Sequence, residues 1–155
     1  MVAKTKLFGE IDINDEKVIL FEQGLIGFEN LKKFAILFDA DHADQRNISW
    51  LQSLEEPTLA FPIIDPFLIR EDYNPEIEDS GLATLGDLKE EDLNVLVTLS
   101  VPKDIKQMSC NLKAPIIINV ETRKGAQLIA ENNDYPIKYY IYDILDAKRQ
   151  KKEGR

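Results

Sequence analysis

The sequence predicts an all-β protein, a small single-domain β-barrel-like fold of coiled antiparallel sheets with one short helix near 87–92. Three observations predict it. Apolar residues recur with a period of two, as in Val97, Leu99 and Val101 against Thr98 and Ser100, or Ile116, Ile118 and Val120 against Asn119 and Glu121. The strand-like runs are short and separated by turn residues. Only one stretch breaks the pattern with helix signals. Eight or more strands at this spacing favour a barrel, because closure removes the exposed edges that such a chain would otherwise carry. A length of 155 residues suits one domain, and 44% hydrophobic residues can fill a core.

Taken in order, residues 1–6 lead into a strand-like pattern, and β-rich runs follow at 7–13, 17–21, 34–38, 48–51, 58–64, 95–101, 116–120 and 137–142. Asn14-Asp15, Gly24 with Gly27, Glu56-Pro57, Asp65-Pro66, Asn74-Pro75 and Asn132-Asn133-Asp134 supply the turns between them. In Thr84-Leu85-Gly86-Asp87-Leu88-Lys89-Glu90-Glu91-Asp92, either Asp87 or Thr84 can cap a helix start, and the carboxylates favour its first turn. No internal repeat or linker divides the chain. One domain over 1–146 is expected, followed by a basic, flexible tail at 147–155.

Charge speaks to partners. The net charge is −9, and residues 147–155 carry five cations against Glu153, which leaves −13 on residues 1–146. A body of that sign repels nucleic acid backbones, whose recognition rests on lysine and arginine displacing counterions. It attracts basic proteins and speeds encounter with them. Between Glu71 and Asn94 the acids are densest: nine of them stand against Lys89 alone. Cys110 is the single cysteine, so no internal disulfide forms, and no apolar run approaches the roughly 18 residues that span a bilayer. A cytoplasmic protein without membrane contact is the expectation.

Reaction chemistry finds little support. The single histidine, His42, sits in the polar stretch Asp39-Ala40-Asp41-His42-Ala43-Asp44, and a Cys110–His42 pair is a weaker reading of Cys110 than a small packed residue. Asp39, Asp41 and Asp44 faintly suggest a calcium loop, but its sixth position is Asp44 instead of glycine and its twelfth is Trp50. Gly24-Leu25-Ile26-Gly27 reads as a tight turn, since no phosphate-cradling glycine pattern exists. Glu55-Glu56 reads as a solvated pair. No cofactor, no metal and no enzymatic activity are expected.

An ordered set of strings goes further. Phe21-Glu22-Gln23-Gly24-Leu25-Ile26-Gly27-Phe28-Glu29 precedes Trp50-Leu51-Gln52-Ser53-Leu54-Glu55, and then Leu59-Ala60-Phe61-Pro62-Ile63-Ile64-Asp65-Pro66-Phe67 and Asp72-Tyr73. Later come Asn111-Leu112-Lys113-Ala114-Pro115-Ile116-Ile117-Ile118-Asn119 and Gly125-Ala126-Gln127-Leu128-Ile129. In this order and spacing the chain closely resembles the flagellar assembly factor FliW family over roughly residues 5–135, departing at Pro62 and Cys110. The resemblance implies a small β-barrel-like domain without catalytic activity. It implies binding to CsrA, a dimeric RNA-binding repressor of translation, whose hold on flagellin mRNA is thereby weakened without the RNA surface simply being covered. Flagellin is the implied competitor for the same protein. The alternative is a flagellin-specific chaperone with no regulatory role, and a hydrolase using Cys110 or a carboxylate pair is the third reading.

Contacts with such partners need an apolar centre and a polar rim. Asp65, Pro66, Phe67, Leu68 and Ile69 put a stiff turn before an aromatic and two aliphatics, directly ahead of the acidic region. Glu90, Glu91 and Asp92 suit a steering rim. Asn111, Leu112 and Pro115 form a third candidate, with Pro115 at a strand start where an edge lies unpaired. The protein alone is expected to be a monomer.

Overall fold

A computed structural model describes residues 1–38 and 48–153. Eleven strands are present among them: β1 (Val2–Thr5), β2 (Gly9–Asp12), β3 (Ile19–Leu20), β4 (Lys33–Phe38), β5 (Ser49–Ser53), β6 (Ala60–Ile64), β7 (Leu93–Ser100), β8 (Ser109–Cys110), β9 (Ile116–Asn119), β10 (Lys124–Gln127) and β11 (Tyr139–Tyr140). Strands β3 to β7, β9 and β10 form a closed seven-stranded barrel, with β7 pairing both β6 and β9 to shut the ring. All its pairs are antiparallel except β10 with β3, where Lys124 lies opposite Leu20. The β1–β2 hairpin forms a separate sheet, packed through Ala3 and Ile13 onto Ala35 of β4. The all-β, barrel-like expectation therefore holds.

Neighbouring residues on the central strands serve two different cores. Ile63 and Leu96 point into the barrel with Phe21, Phe34, Leu51, Ile116 and Ile118. Ile64 and Val97, one residue on, face outward beneath Ile69, Tyr73, Met108, Cys110, Leu112, Tyr135 and Ile141. Each fully buried aliphatic or aromatic side chain contributes about 1.5–3 kcal/mol. Strands covered on both faces read as continuous apolar runs, not as alternation. That corrects the reading of 116–120: Ile116, Ile117, Ile118 and Asn119 are all buried, and Val120 is exposed. Ile117 faces a third cluster with Leu85 and Ala126, under the arm that crosses from β6 to β7.

That arm carries the acidic region. It contains a short helix, α1 (Asp79–Leu82), and 3-10 turns at Pro66–Leu68, Ala83–Leu85 and Glu90–Asp92, the last where the sequence placed its helix near 87–92. A second helix, α2 (Tyr142–Glu153), was not expected and crosses the 146/147 boundary drawn from composition. Its Ile144 and Leu145 pack on the outer core, which anchors its first turn.

Candidate docking groove

Two of the three predicted segments meet in space. The turn after β6 starts at Asp65, whose Oδ1 accepts the Phe67 N–H at 2.9 Å, and Pro66 occupies the first helical position. Pro66 and Ile69 are buried, and this fixes the turn so that Phe67 projects outward, 44% exposed. Its ring meets Tyr73 edge-on at 6.1 Å. The Tyr73 hydroxyl donates to the Leu112 carbonyl at 2.7 Å, and burial, with Tyr135 and Cys110 nearby, holds the phenol above its ordinary pKa as a neutral donor. Arg70 braces the same corner: its guanidinium lies 4.9 Å from the Tyr135 ring centroid and reaches Asp72 at 3.1 Å and Asp134 at 3.3 Å. Asn132 holds the next residues, accepting the Glu76 N–H at 2.7 Å and donating to the Asn74 carbonyl at 3.1 Å.

The opposite wall is the Glu90–Asp92 turn and the start of β7. Asn119 on β9 ties down this end of the arm. Its Nδ2 donates to the Leu85 and Asp87 carbonyls at 2.9 and 3.0 Å, and its Oδ1 accepts the Glu121 and Thr122 N–H groups at 3.1 and 3.4 Å. Between the walls runs a groove of about 740 Å³ with Ile77, Leu93, Val95 and Ile117 among its lining and Asp65, Glu71, Asp72 and Glu90 as its charged groups. No lysine or arginine stands among its described lining residues.

Asp65, Phe67 and Glu90 thus share one concave surface. Leu68 is half-buried and turns instead into an adjoining cleft with Ile36, Phe38 and Leu96. Glu91 is exposed and Asp92 half-buried on the same turn as Glu90, outside the groove lining. The third segment is different. Leu112 and Pro115 are buried, and Asn111 Oδ1 accepts the Lys113 and Ala114 N–H groups, both at 3.0 Å. Strand β9 pairs with β10 on one side and β7 on the other, so Pro115 marks no open edge. Ile77, Leu82, Leu93, Val95 and Ile117 were not foreseen as part of a site, because only the tertiary crossing of the arm over β9 assembles them.

The chemical alternatives fare as follows. Cys110 is 2% exposed, and burial pushes its thiol up to about 12, so the hydrolase reading loses its nucleophile. We expect native Cys110 to react with an aromatic disulfide reagent at pH 8 at least about a hundredfold slower than in denaturant; equal rates would show that the thiol is reachable. Glu55 and Glu56 belong to a turn. Glu55 accepts the Lys32 and Lys33 N–H groups at 2.6 and 2.9 Å, and these bonds hold its carboxyl below its ordinary value. Among the described residues no group of three or more metal-ligating side chains comes together. His42 and the Asp39, Asp41, Asp44 set lie outside the described residues. No helix among the described residues is long and apolar enough to cross a membrane.

Fold and groove define the class, a small closed-barrel protein with an arm across its outer face. The chain belongs to the FliW family, whose pattern, described as FliW protein, matches residues 2–141. A flagellar assembly factor FliW of Lachnospira eligens is 47% identical over 146 residues, covering 94% of this chain and 97% of that one. Another, of Lachnoclostridium phytofermentans, is 45% identical over 154 residues and covers 99% of both. A crystal structure of the flagellar assembly factor FliW superimposes with a TM-score of 0.82 at 33% identity, covering 92% of this chain and 97% of its own.

Proposed function

We propose that this flagellar assembly factor works in the cytoplasm by occupying the translational repressor CsrA, weakening its hold on flagellin mRNA, with flagellin competing for the same protein. Family membership over nearly the full length is the observation that carries the reading. The electrostatics support it: a body at −13 suits a basic, RNA-binding partner and repels the RNA itself. The switch then needs no chemistry from the barrel. Free flagellin takes the protein away from CsrA, CsrA returns to the message, and flagellin synthesis falls until export removes the excess.

The test is a competition assay with CsrA bound to a flagellin-leader RNA. Addition of this protein at micromolar concentration should release RNA, and subsequent addition of flagellin should restore the complex. An unchanged CsrA–RNA complex ends the regulatory reading. If flagellin binds while the CsrA–RNA complex is unaffected, the protein is a flagellin chaperone instead.

A further inference from the structure

We propose that the groove between the Asp65–Ile69 turn and the Glu90–Asp92 turn is the seat for CsrA, and that it takes a cationic segment carrying at least one apolar side chain. This rests on the reading above and adds the place and the chemistry of contact. The groove has two halves that fit such a segment. Its apolar lining suits the methylene stems of lysine or arginine. Of its four carboxylates Asp72 already pairs with Arg70 and Asp65 caps its own turn, which leaves Glu71 and Glu90 to receive the charged heads. The chain already makes the same arrangement internally, with Arg70 lying on Tyr135 and reaching Asp72 and Asp134. Phe67 adds an anchor that is exposed yet held in place by the Asp65 cap and buried Pro66, so little side-chain freedom is lost on docking.

The number of acids separates this groove from its neighbours: the adjoining Leu68 cleft has Asp65 as the one charged group among its described lining residues. The cleft at the barrel end around Ile36 and Phe38 is lined by Lys17 and Arg123 as well as Glu16, and has no net preference for a cation. The groove's charged lining is acidic throughout. A partner drawn by the acidic body therefore meets here a concave, partly apolar surface that carries four carboxylates and no cation among its described lining residues.

Binding kinetics of CsrA test the proposal, with three variants beside the parent protein. Phe67→Ala should speed dissociation about tenfold. The double reversal Glu71→Lys/Glu90→Lys should slow association about tenfold at low salt, converging on the parent as salt rises. Neither glutamate side chain makes a hydrogen bond or ion pair among the described residues, so this variant keeps its fold if Phe67→Ala does not. Glu10→Lys/Glu16→Lys changes the net charge equally from exposed positions away from the groove and should have a much smaller effect. Equal slowing by both reversals would mean a general field and overturn the groove. Parent-like CsrA kinetics in the groove variants would overturn it too, while leaving the regulatory function standing; no CsrA binding by the parent would remove both. Loss of flagellin binding alone would assign the groove to flagellin. A salt-sensitive dimer abolished by the same reversal would assign it to the basic 147–155 segment of a second copy, and either result overturns the proposal.

Discussion

Gly24→Ala is expected to destabilise the protein by about 3 kcal/mol, lowering the thermal midpoint by roughly 6–12 °C for a domain of this size. Two separate costs add. Gly24 has φ of +66°, a left-handed conformation that costs an alanine about 1–2 kcal/mol. A Cβ there would also lie 2.6 Å from Glu29 Cα and 2.7 Å from its carbonyl carbon, and backbone cannot move aside as a flexible side chain can. Overpacking of that kind typically costs 1–3 kcal/mol. The turn is worth protecting because it places Leu25 in the barrel core and Phe28 edge-on to Phe61 at 5.2 Å. Gly27→Ala is the internal control. Its φ of +89° carries the conformational cost, but nothing lies within 4 Å of the added carbon. Unfolding in denaturant should therefore rank Gly24→Ala well below Gly27→Ala. Equal losses would show that conformation alone matters and that the turn relaxes around the methyl.

The strands were legible where one local signal sufficed. Runs at 34–38, 48–51 and 58–64 correspond to β4, β5 and β6 because β-branched and aromatic residues bounded by turn chemistry need no distant partner to be recognised. Strand β10 (Lys124–Gln127) was missed. It contains Gly125, which in a strand normally weakens it, and the reason for a glycine lies elsewhere: an added Cβ would meet the Phe21 ring at 2.7 Å. Closure of the barrel through the parallel contact of β10 with β3 is likewise a tertiary event that no local pattern encodes. The site divides in the same way. Asp65-Pro66-Phe67 was visible as a stiff turn and Glu90 as part of a charge run. The groove joining them needed Ile77, Leu93, Val95 and Ile117 to be brought together from three parts of the chain. At Pro115, the proline rule for edges misled, because a proline that begins a strand satisfies it equally well inside a closed sheet.

Asn119 shows how a polar residue inside an apolar run can be decisive for both fold and site. We expect Asn119→Ala to cost about 3 kcal/mol, since a buried side chain that serves four backbone groups is removed and several of those groups are left without a partner. Leu85 keeps one donor, the Thr122 hydroxyl at 2.8 Å, whereas the side-chain bond to Asp87 has no such substitute. The loss is therefore uneven. The arm from Leu85 to Asp92 should loosen while the barrel interior, filled by Phe21, Phe34 and Leu51, keeps its packing. Hydrogen exchange reads this directly: amides of residues 85–92 should exchange faster at conditions where those of β4 and β5 are unchanged. Asn119→Asp separates shape from hydrogen bonding. It keeps the acceptor for Glu121 and Thr122 but sets a carboxylate against the Leu85 and Asp87 carbonyls, so a large loss there too would place the requirement on the two donated bonds. If Asn119→Ala leaves stability and exchange at parent values, the arm is held by its apolar contacts through Leu85 and Ile117, and the asparagine is incidental. The expected outcome instead makes Glu90's position on the groove rim depend on a side chain of the neighbouring strand β9, where Asn119 lies opposite Leu93, and so links the chemistry of docking to the packing of the barrel.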